Sequence, residues 1–362
     1  MAINKRIITS PIILFLGAGA SVPLGKPTMK EFVTKLEQLI PRYNKRSQIF
    51  HKIAAFRNKD LEEILGDLEK LHSLQYINSF NIRSLGLTTD DKSYEDLLIE
   101  IDNTEVDALI SIIKHEIIKE YRELEEKSVL QVYEPLFETI FSSIGPRKHF
   151  LPVFTTNYDL AVEEFCRLKM QDYGLTNGIE ADHFSKEFFW NPSIFQSLSL
   201  IEGRRQIVLF KLHGSVDWIR LRTSGKIVKS PSMYDRLDSK VYQNVIIYPT
   251  GDKIAIDEPF VTNYRYLTKC CEKAKLMIVI GYSFRDYGTI NALVNAFDLN
   301  RGFYMILISP HAEDVLQSIP HEFTFNFVNP IPSCFGEASN ENEYLDSIKK
   351  WISSRIQMVY KE

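Results

Sequence analysis

The chain has 362 residues, of which 44% are hydrophobic, and its formal net charge is −4. This length and apolar content suffice for one large domain, or for a core domain with a sizeable insertion. The slightly acidic balance provides no broad basic field, so direct binding to nucleic acid is not expected. No stretch reaches the roughly 20 apolar residues that span a bilayer, so we expect no membrane association and a cytoplasmic location.

The first apolar run, residues 12–16, raises the alternative of a secretory signal peptide. Lys5 and Arg6 precede the run, and the small residues at 18–20 imitate a cleavage site. Pro11 interrupts the apolar stretch, however, and similar runs recur later in the chain, where a signal peptide could not act. A buried strand is therefore the favoured interpretation.

Short apolar runs rich in branched residues recur along the chain. Continuous apolarity of this kind is typical of a strand covered on both faces, so the runs predict a parallel sheet. Each run stops at small or polar residues, and in an open parallel sheet such strand ends meet at one edge, where ligands bind. The expected strands are residues 12–16, 150–154, 207–212, 245–248, 276–280 and 304–308.

Helical spacing appears between the strands. Apolar residues at intervals of three and four predict a helix over 29–40, with Thr28 and Glu31 as a capping box. Residues 44–143 contain further helical patterns, which we interpret as a large insertion that forms a lid or an assembly surface. Residues 78–93 within it are expected to form a loop.

The fold class predicted from these patterns is α/β, with a Rossmann-like parallel sheet and a large helical insertion. Residues 1–43 and 144–362 would form the core domain. A second insertion of mixed character covers about 170–205, and residues 219–229 alternate around a central Ser-Gly pair in the way of a β-hairpin.

The first polar cluster, Gly17-Ala18-Gly19-Ala20-Ser21, follows a predicted strand and opens a helical turn. Missing side chains at such a turn let backbone N–H groups approach a pyrophosphate. The third glycine of the dinucleotide fingerprint is absent here, because Val22 stands in its place. A tight turn with no ligand remains the alternative.

A second cluster, Thr-Thr-Asn-Tyr-Asp at 155–159, follows the next strand. The amide of Asn157 can both donate and accept, so it could hold a ribose hydroxyl and a water molecule, with Thr156 beside it. Asp159 could accept from another hydroxyl. Helix capping by Asn157 or Asp159 is the alternative.

His213 ends the third predicted strand. An imidazole with an ordinary pKa of about 6.5 suits general base catalysis at neutral pH. A structural histidine beside an apolar strand is the alternative. Gly214 would leave room beside the ring, and a strand end is where a ligand is expected.

Two later strand ends carry polar turns. Gly281, Tyr282, Ser283 and Asp286 offer a glycine turn, a hydroxyl and a carboxylate to a second part of a nucleotide, and Ser309 closes the last predicted strand. Ordinary loop chemistry is the alternative for both turns.

The cysteines show no pattern of a metal site. They form no C-x-x-C pair, and adjacent cysteines are poorly placed to hold zinc together, so we expect reduced thiols and no metal. They are Cys166, Cys270, Cys271 and Cys334.

The motifs GAGAS, TTNYD, LHG, GYSFRD and ISP occur in the order in which sirtuin-type domains present their functional segments, and the chain resembles a sirtuin over almost its whole length. The resemblance implies an NAD-binding loop at 17–21, an Asn/Asp pair at Asn157 and Asp159, and a catalytic His213. It also implies two later NAD-contacting turns, with Gly281, Ser283 and Asp286 on the adenosine side.

The departures from that pattern are informative. Deacylating sirtuins carry a four-cysteine zinc ribbon and a phenylalanine-arginine pair soon after the GAG turn, and here both are missing, with Gly-Lys-Pro-Thr-Met at 25–29. The strand that binds acyl-lysine is not recognisable, and VIIYPTGDK takes its place. Lysine deacylation is therefore not the expected activity.

The zinc-free branch of the family resembles bacterial antiphage defence proteins that hydrolyse NAD+. The resemblance implies NAD+ as substrate, cleavage to nicotinamide and ADP-ribose, and control by homo-oligomerisation or by a partner chain such as a HerA-like ATPase or a short Argonaute. The alternatives are an NAD-dependent deacylase or ADP-ribosyltransferase, and a non-catalytic sensor of NAD or ADP-ribose.

Overall fold

The computed structural model describes residues 10–40, 45–73, 103–144, 150–182, 187–198, 204–230, 241–246, 257–319, 328–336 and 341–356. They fall into two compact units. The first unit is drawn from 1–26, 121–247 and 254–362, and the second from 27–120 and 248–253.

The β-strands lie in the first unit and build two sheets. They are β1 (Ile12–Leu16), β2 (Phe150–Thr155), β3 (Tyr173–Thr176), β4 (Ile179–Ala181), β5 (Phe188–Trp190), β6 (Arg205–Lys211), β7 (Gly214–Leu221), β8 (Ile227–Lys229), β9 (Tyr242–Ile246), β10 (Leu276–Ile280), β11 (Tyr304–Ser309) and β12 (Val328–Pro332).

Helices surround the sheets and form the second unit. They are α1 (Met29–Leu39), α2 (Lys45–Phe56), α3 (Leu61–Ser73), α4 (Asn103–Arg122), α5 (Glu126–Ile144), α6 (Ala161–Leu168), α7 (Phe260–Cys271), α8 (Tyr287–Leu299), α9 (Ala312–Ser318) and α10 (Glu341–Ile356). None of the described helices has the length and apolarity needed to cross a bilayer.

Seven parallel strands form the central sheet, in the order β12-β11-β10-β1-β2-β6-β3. Alternate residues of β1 enter two different cores: Leu14 packs in a core shared with α5, α6 and α10, and Phe15 packs in a core shared with α7 and α8. Because both faces are covered, every residue of β1 and β10 is buried. This burial explains the continuous apolar runs and confirms the predicted α/β fold class.

A second, antiparallel sheet has the order β4-β5-β8-β7-β9. It begins where the central sheet ends, because β7 starts at Gly214, three residues after the last residue of β6. Gly214 has a φ of 90°, and a Cβ placed there would lie 1.9 Å from the carbonyl oxygen of Val245. The glycine is therefore required by the approach of β9, rather than by space for a ligand beside His213.

Several predicted elements are confirmed. Helix α1 starts with the expected capping box, in which Thr28 accepts from the Glu31 amide at 3.3 Å and the Glu31 carboxylate accepts from the Thr28 amide at 2.8 Å. Strands β7 and β8 form the expected hairpin. The predicted loop at 78–93 lies outside the described residues.

The expectation that the apolar run at 245–248 joins the parallel sheet is wrong. Its described part, Val245 and Ile246, ends β9, which pairs antiparallel with β7. Only those last two residues of β9 are buried, and the rest of the strand is partly or fully exposed. Two parallel strands, β3 and β12, were not predicted, because edge strands are half exposed and lack a continuous apolar run.

The second unit contains α1, α2, α3 and most of α4. Buried leucine, isoleucine and phenylalanine side chains from these helices form its apolar interior. The guanidinium of Arg57, which follows α2, binds the buried Asp67 of α3 through two nitrogens, at 2.5 and 2.9 Å. Paired in this way, the buried carboxylate does not carry the cost of an isolated charge.

The boundaries of this unit differ from the expected insertion at 44–143. Helix α1 groups with the second unit, whereas α5 packs Val129, Val132 and Leu136 into the core beneath the central sheet. Helical periodicity identifies an apolar face but does not indicate which core that face contacts.

Close backbone contact joins the turns that follow β1 and β10, where the strand order reverses direction. The Gly17 amide donates to the Ile280 carbonyl at 2.9 Å, and the Gly19 amide donates to the Gly281 carbonyl at 2.8 Å. A Cβ on Gly17 would lie 2.5 Å from the Cα of Tyr282. Both turns need glycine because their backbones touch.

We therefore predict that Gly17→Ala destabilises the protein, whereas Gly302→Ala does not. The added methyl group at 17 meets backbone atoms that cannot move aside, which costs about 1–3 kcal/mol of unfolding free energy or more. At Gly302 the nearest atom is 3.6 Å away, so the methyl group fits. Urea unfolding followed by circular dichroism measures both variants, and equal midpoints for the two would contradict this account.

Candidate active site

The ends of β2 and β6 bring Asn157 and His213 to neighbouring positions at one edge of the central sheet. Thr155 and Lys211 are paired across these strands. Two of the three predicted catalytic residues, Asn157 and His213, each follow two positions later, and the third is Asp159. The segments stay in contact beyond the strands, because the amide of Leu212 donates to the Thr155 carbonyl at 2.8 Å. Side chains separated by 56 positions in sequence therefore share one region of the fold.

The turn at 17–21 uses most of its amides within the protein. The amides of Gly17, Gly19, Ala20 and Ser21 donate to backbone carbonyls at 2.9, 2.8, 2.9 and 3.1 Å. Ala18 is exposed, and no described residue accepts from its amide. Of the backbone amides that were expected to bind a pyrophosphate at this turn, the amide of Ala18 therefore remains as the available donor.

The side-chain amide of Asn157 holds this turn in place. Its nitrogen donates to the Gly17 carbonyl at 2.8 Å and to the Ser21 hydroxyl oxygen at 2.9 Å, which uses both of its hydrogens. Asn157 is buried, and its carbonyl oxygen, Oδ1, has no partner among the described residues. Toward a ligand, Asn157 is therefore an acceptor.

Asp159 completes the same hydrogen-bond chain. Its Oδ2 accepts from the Ser21 hydroxyl at 2.5 Å, and its Oδ1 accepts from the Ala161 amide at the start of α6, at 2.9 Å. Asp159 thus links the turn at 17–21 to the start of α6, and the N-cap position of that helix is Leu160.

A buried lysine supports the loop that carries Asn157. The side chain of Lys211 is 1% exposed, and its ammonium group donates to the carbonyls of Tyr158, at 3.2 Å, and Asp159. The ammonium also lies 3.3 Å from the Glu163 carboxylate. Burial raises the pKa of Glu163 and the charge of Lys211 opposes that rise, with a net increase.

His213 is paired with Asp286. The two side chains are buried, and Nε2 of His213 lies 2.8 Å from Oδ2 of Asp286. The Tyr264 hydroxyl of α7 donates to the same carboxylate oxygen at 3.1 Å, and the Thr289 hydroxyl of α8 donates to it as well. The Gly288 amide donates to Oδ1 at 3.0 Å, so Asp286 also caps α8.

The carboxyl group of Asp286 is ionised at neutral pH. Burial raises its pKa, but the hydrogen bond and charge of His213 and the hydroxyls of Thr289 and Tyr264 lower it to about 2. Because the folded-state pKa lies below the ordinary value of 3.8, the pairing stabilises the fold above that value. The contribution is lost as the pH falls toward 2.

The other predicted contact residues border the same strand ends. Tyr282 is buried with its ring 4.8 Å from that of Phe15, and Ser283 is exposed. Thr156 donates its amide to the Leu16 carbonyl at 3.2 Å, and the Ser309 hydroxyl accepts from the His311 amide at 3.3 Å.

The loop after β10 is strained at Phe284. This buried residue has a φ of 54°, in the left-handed region that bulky side chains rarely adopt. Such strain costs on the order of 1–3 kcal/mol and is typical of loops that position functional groups. The loop leads to Asp286, which lies beside His213 rather than in a separate adenosine-contacting turn.

Sequence analysis did not identify Lys211, Tyr264 or Thr289. Lys211 had one signal, because it directly follows the buried apolar residues 207–210 and a charge in a folded core requires partners. Tyr264 and Thr289 are ordinary helix residues in sequence, and only their position around Asp286 reveals a role.

Among the described residues, no group of three or more histidine, cysteine, aspartate or glutamate side chains is placed to hold a metal ion. Cys166, Cys270 and Cys271 are buried. Burial raises the pKa of the Cys270 thiol to about 12 and that of Cys271 well above its ordinary value, which keeps both protonated.

A sequence model of the SIR2-like domain family matches residues 152–319, a segment that includes Asn157, His213 and Asp286. This segment is therefore similar to the SIR2-like domain family. No curated protein sequence matches the chain.

Solved structures of Sir2 proteins are similar to the chain at low identity. A Sir2 homologue in complex with NAD is 14% identical, with a TM-score of 0.45, over 96% of this chain and 93% of that chain. A triple mutant of a Sir2 homologue in complex with 2'-O-acetyl ADP-ribose is 14% identical, with a TM-score of 0.44, over 96% of both chains. A Sir2 complex with a p53 peptide and NAD+ is 11% identical, with a TM-score of 0.40, over 94% of this chain and 92% of that chain.

Replacing Lys211 with methionine should destabilise the protein strongly. The substitution leaves the Glu163 carboxylate without its cation and two buried carbonyls without a donor, a loss of about 3–5 kcal/mol. The loss should be larger at pH 8 than at pH 5, because without Lys211 the pKa of Glu163 rises further and the ionised form is penalised.

Urea unfolding at the two pH values tests this effect. Lys350→Met in α10 is the matched control, because Lys350 is exposed and the change removes the same charge. An equal shift of the unfolding midpoint in the two variants would show that Lys211 does not support the Asn157 loop.

Proposed function

We propose that this chain is an NAD+ glycohydrolase that cleaves NAD+ to nicotinamide and ADP-ribose. The observation that carries the proposal is the convergence of Asn157 and His213 on neighbouring strand ends, within the segment that matches the SIR2-like domain. A chain with this domain is expected to act on NAD+. A buried imidazole with a carboxylate partner favours chemistry over binding alone, because a binder requires no base.

The reaction breaks the bond between the nicotinamide nitrogen and the ribose. The bonding electrons leave with the ring, so nicotinamide departs neutral and the sugar becomes oxocarbenium-like. Water then adds to the anomeric carbon and loses a proton, and the products are nicotinamide, ADP-ribose and a proton. Because the leaving group is already cationic in the substrate, we expect no metal to be required.

The buried side chains have separate roles in this proposal. Oδ1 of Asn157 accepts a hydrogen bond from the ribose or from the attacking water, because its nitrogen is already used. His213 takes a proton from a ribose hydroxyl or from that water. Asp159 holds the loop between Ser21 and α6 instead of contacting the sugar.

Turns around these side chains would bind the rest of the nucleotide. The exposed Ala18 contributes its amide to the pyrophosphate, and Ser21 acts through Asn157. Ser283 is exposed beside the glycine turn at Gly281 and remains on the adenosine side. Thr156, Tyr282 and Ser309 would border the nucleotide at the same strand ends.

We further propose that the protein serves antiphage defence by abortive infection. Loss of NAD+ stops the metabolism of an infected cell, so such an enzyme has to be inactive until it is needed. The resemblance to NAD-hydrolysing defence proteins supports control by homo-oligomerisation or by a partner chain such as a HerA-like ATPase. The helical unit drawn from 27–120 is our candidate for that contact.

NAD+ consumption tests the proposed reaction. The purified protein, alone and with extract of phage-infected cells, should release nicotinamide and ADP-ribose in equal amounts, as measured by liquid chromatography. Asn157→Ala and His213→Ala should each lower the rate by 10² or more, because each removes a group that acts in the transition state. Asn295→Ala and His115→Ala are the controls, since both residues are exposed helix positions.

Two results would contradict the proposal. Turnover that persists in both Asn157→Ala and His213→Ala would remove these residues from the chemistry. Stoichiometric binding of intact NAD+ by calorimetry, with no turnover in either condition, would instead identify a sensor of NAD.

A further inference from the structure

The pair formed by His213 and Asp286 is held from three sides. His213 lies in the link between β6 and β7, Asp286 lies at the N-terminus of α8, and Tyr264 reaches both from α7. The Tyr264 hydroxyl lies 3.4 Å from Nε2 of His213 and 3.1 Å from the Asp286 carboxylate. The Thr289 hydroxyl closes the group at 3.2 Å from that of Tyr264.

The hydrogen bonds of Asp286 are fully used inside the protein. Its Oδ2 faces Nε2 of His213 and accepts from the hydroxyls of Tyr264 and Thr289, and its Oδ1 accepts from the Gly288 amide. An ionised carboxylate offers about four acceptor sites, so little capacity is left for a nucleotide hydroxyl. Asp286 is therefore a partner of His213 rather than a contact of the adenosine.

Helix capping alone does not account for this arrangement. A cap needs only the bond between Oδ1 and the Gly288 amide. The second carboxylate oxygen, Oδ2, faces the imidazole of His213 and also accepts a hydrogen bond from Tyr264 of another helix, α7. Burying a carboxylate is costly, so this oxygen is expected to have a use beyond the cap.

The neighbouring residue of α7 binds the backbone two residues before His213. Asn263 is fully buried, and its amide nitrogen donates to the carbonyl of Lys211 at 2.8 Å. Asn263 and Tyr264 thus fix the backbone before His213 and the carboxylate beside its ring. The imidazole is left with little freedom to turn.

We infer that Asp286 is the positioning residue of the base. Its carboxylate accepts the proton on Nε2 and so selects the tautomer in which Nδ1 of His213 carries the lone pair. This inference rests on the proposed NAD+ cleavage for its kinetic consequence, but not for its structural content. Nδ1 has no partner among the described residues, which leaves it as the nitrogen that acts on the substrate.

The proton transfer then follows directly. An O–H bond of the attacking water or of a ribose hydroxyl breaks, its electron pair stays on oxygen, and the proton moves to Nδ1. The imidazolium that forms is stabilised by the ionised Asp286 at 2.8 Å. The proton leaves to solvent after the products depart.

Asp286→Asn is the first test of the inference. Asparagine keeps the volume and the cap to Gly288, but its amide can donate to Nε2 and reverse the tautomer. We expect kcat for NAD+ cleavage to fall about 10³-fold, with KM changed less than about threefold. Asp298→Asn, at an exposed position of α8, is the matched control and should keep the parent rate.

Tyr264→Phe removes one hydrogen-bond donor to the Asp286 carboxylate and leaves the contact between Asp286 and the His213 imidazole. A loss of about 3-fold to 10-fold in kcat is expected, because the pair is loosened but not broken.

The tautomer can be measured without turnover. Nitrogen-15 chemical shifts of labelled histidine, assigned by loss of the signal in His213→Ala, should show a protonated Nε2 and an unprotonated Nδ1 for neutral His213. In Asp286→Asn the proton should instead be on Nδ1, and Nε2 should be unprotonated. This measurement distinguishes failure of the inference from failure of the proposed function, because it requires no cleavage of NAD+.

Each outcome bears on the inference. A protonated Nδ1 in the parent protein, or unchanged kcat and an unchanged tautomer in Asp286→Asn, would overturn it. The expected tautomer in a protein that never cleaves NAD+ would support the geometry and reject the proposed reaction.

Discussion

Backbone contact between the turns after β1 and β10 is the constraint on which the candidate site depends. The two turns meet at the point where the strand order of the parallel sheet reverses, and their glycines allow the main chains to touch. In open α/β sheets such a point is where ligands bind. Asn157 then ties the first of these turns to the end of β2, so three strand ends form one polar edge.

The polar groups at this edge are costly to bury, and the structure offsets that cost with partners. Lys211 donates to two carbonyls of the loop that carries Asn157, and Asn263 donates to the carbonyl of Lys211. The carboxylate of Asp286 is ionised because His213 and two hydroxyls surround it. Residues remote from the substrate therefore control the shape of the site, because they hold the loops that carry Asn157 and His213.

Features that depend on residues close together in the sequence were predictable, whereas contacts between distant residues were not. The central strands were predictable because burial on both faces leaves a continuous apolar run, whereas β3 and β12 at the edges leave none. Asn157 and His213 were predictable as polar residues after such runs. The partner of His213 was not, because Asp286 lies 73 positions away and its pairing depends on how α7 and α8 pack. The amides of the turn at 17–21 were misjudged for the same reason, since their acceptors include the residues that end β10.

The central claim is that one ribose lies between the carbonyl oxygen of Asn157 and the imidazole of His213. A crystal structure of the His213→Ala protein with NAD+ tests it most directly, because the substrate should survive while Asn157 is intact. The account predicts the nicotinamide ribose within about 3 Å of Oδ1 of Asn157, beside the space left by the missing imidazole. A nicotinamide ribose bound away from both positions would contradict it.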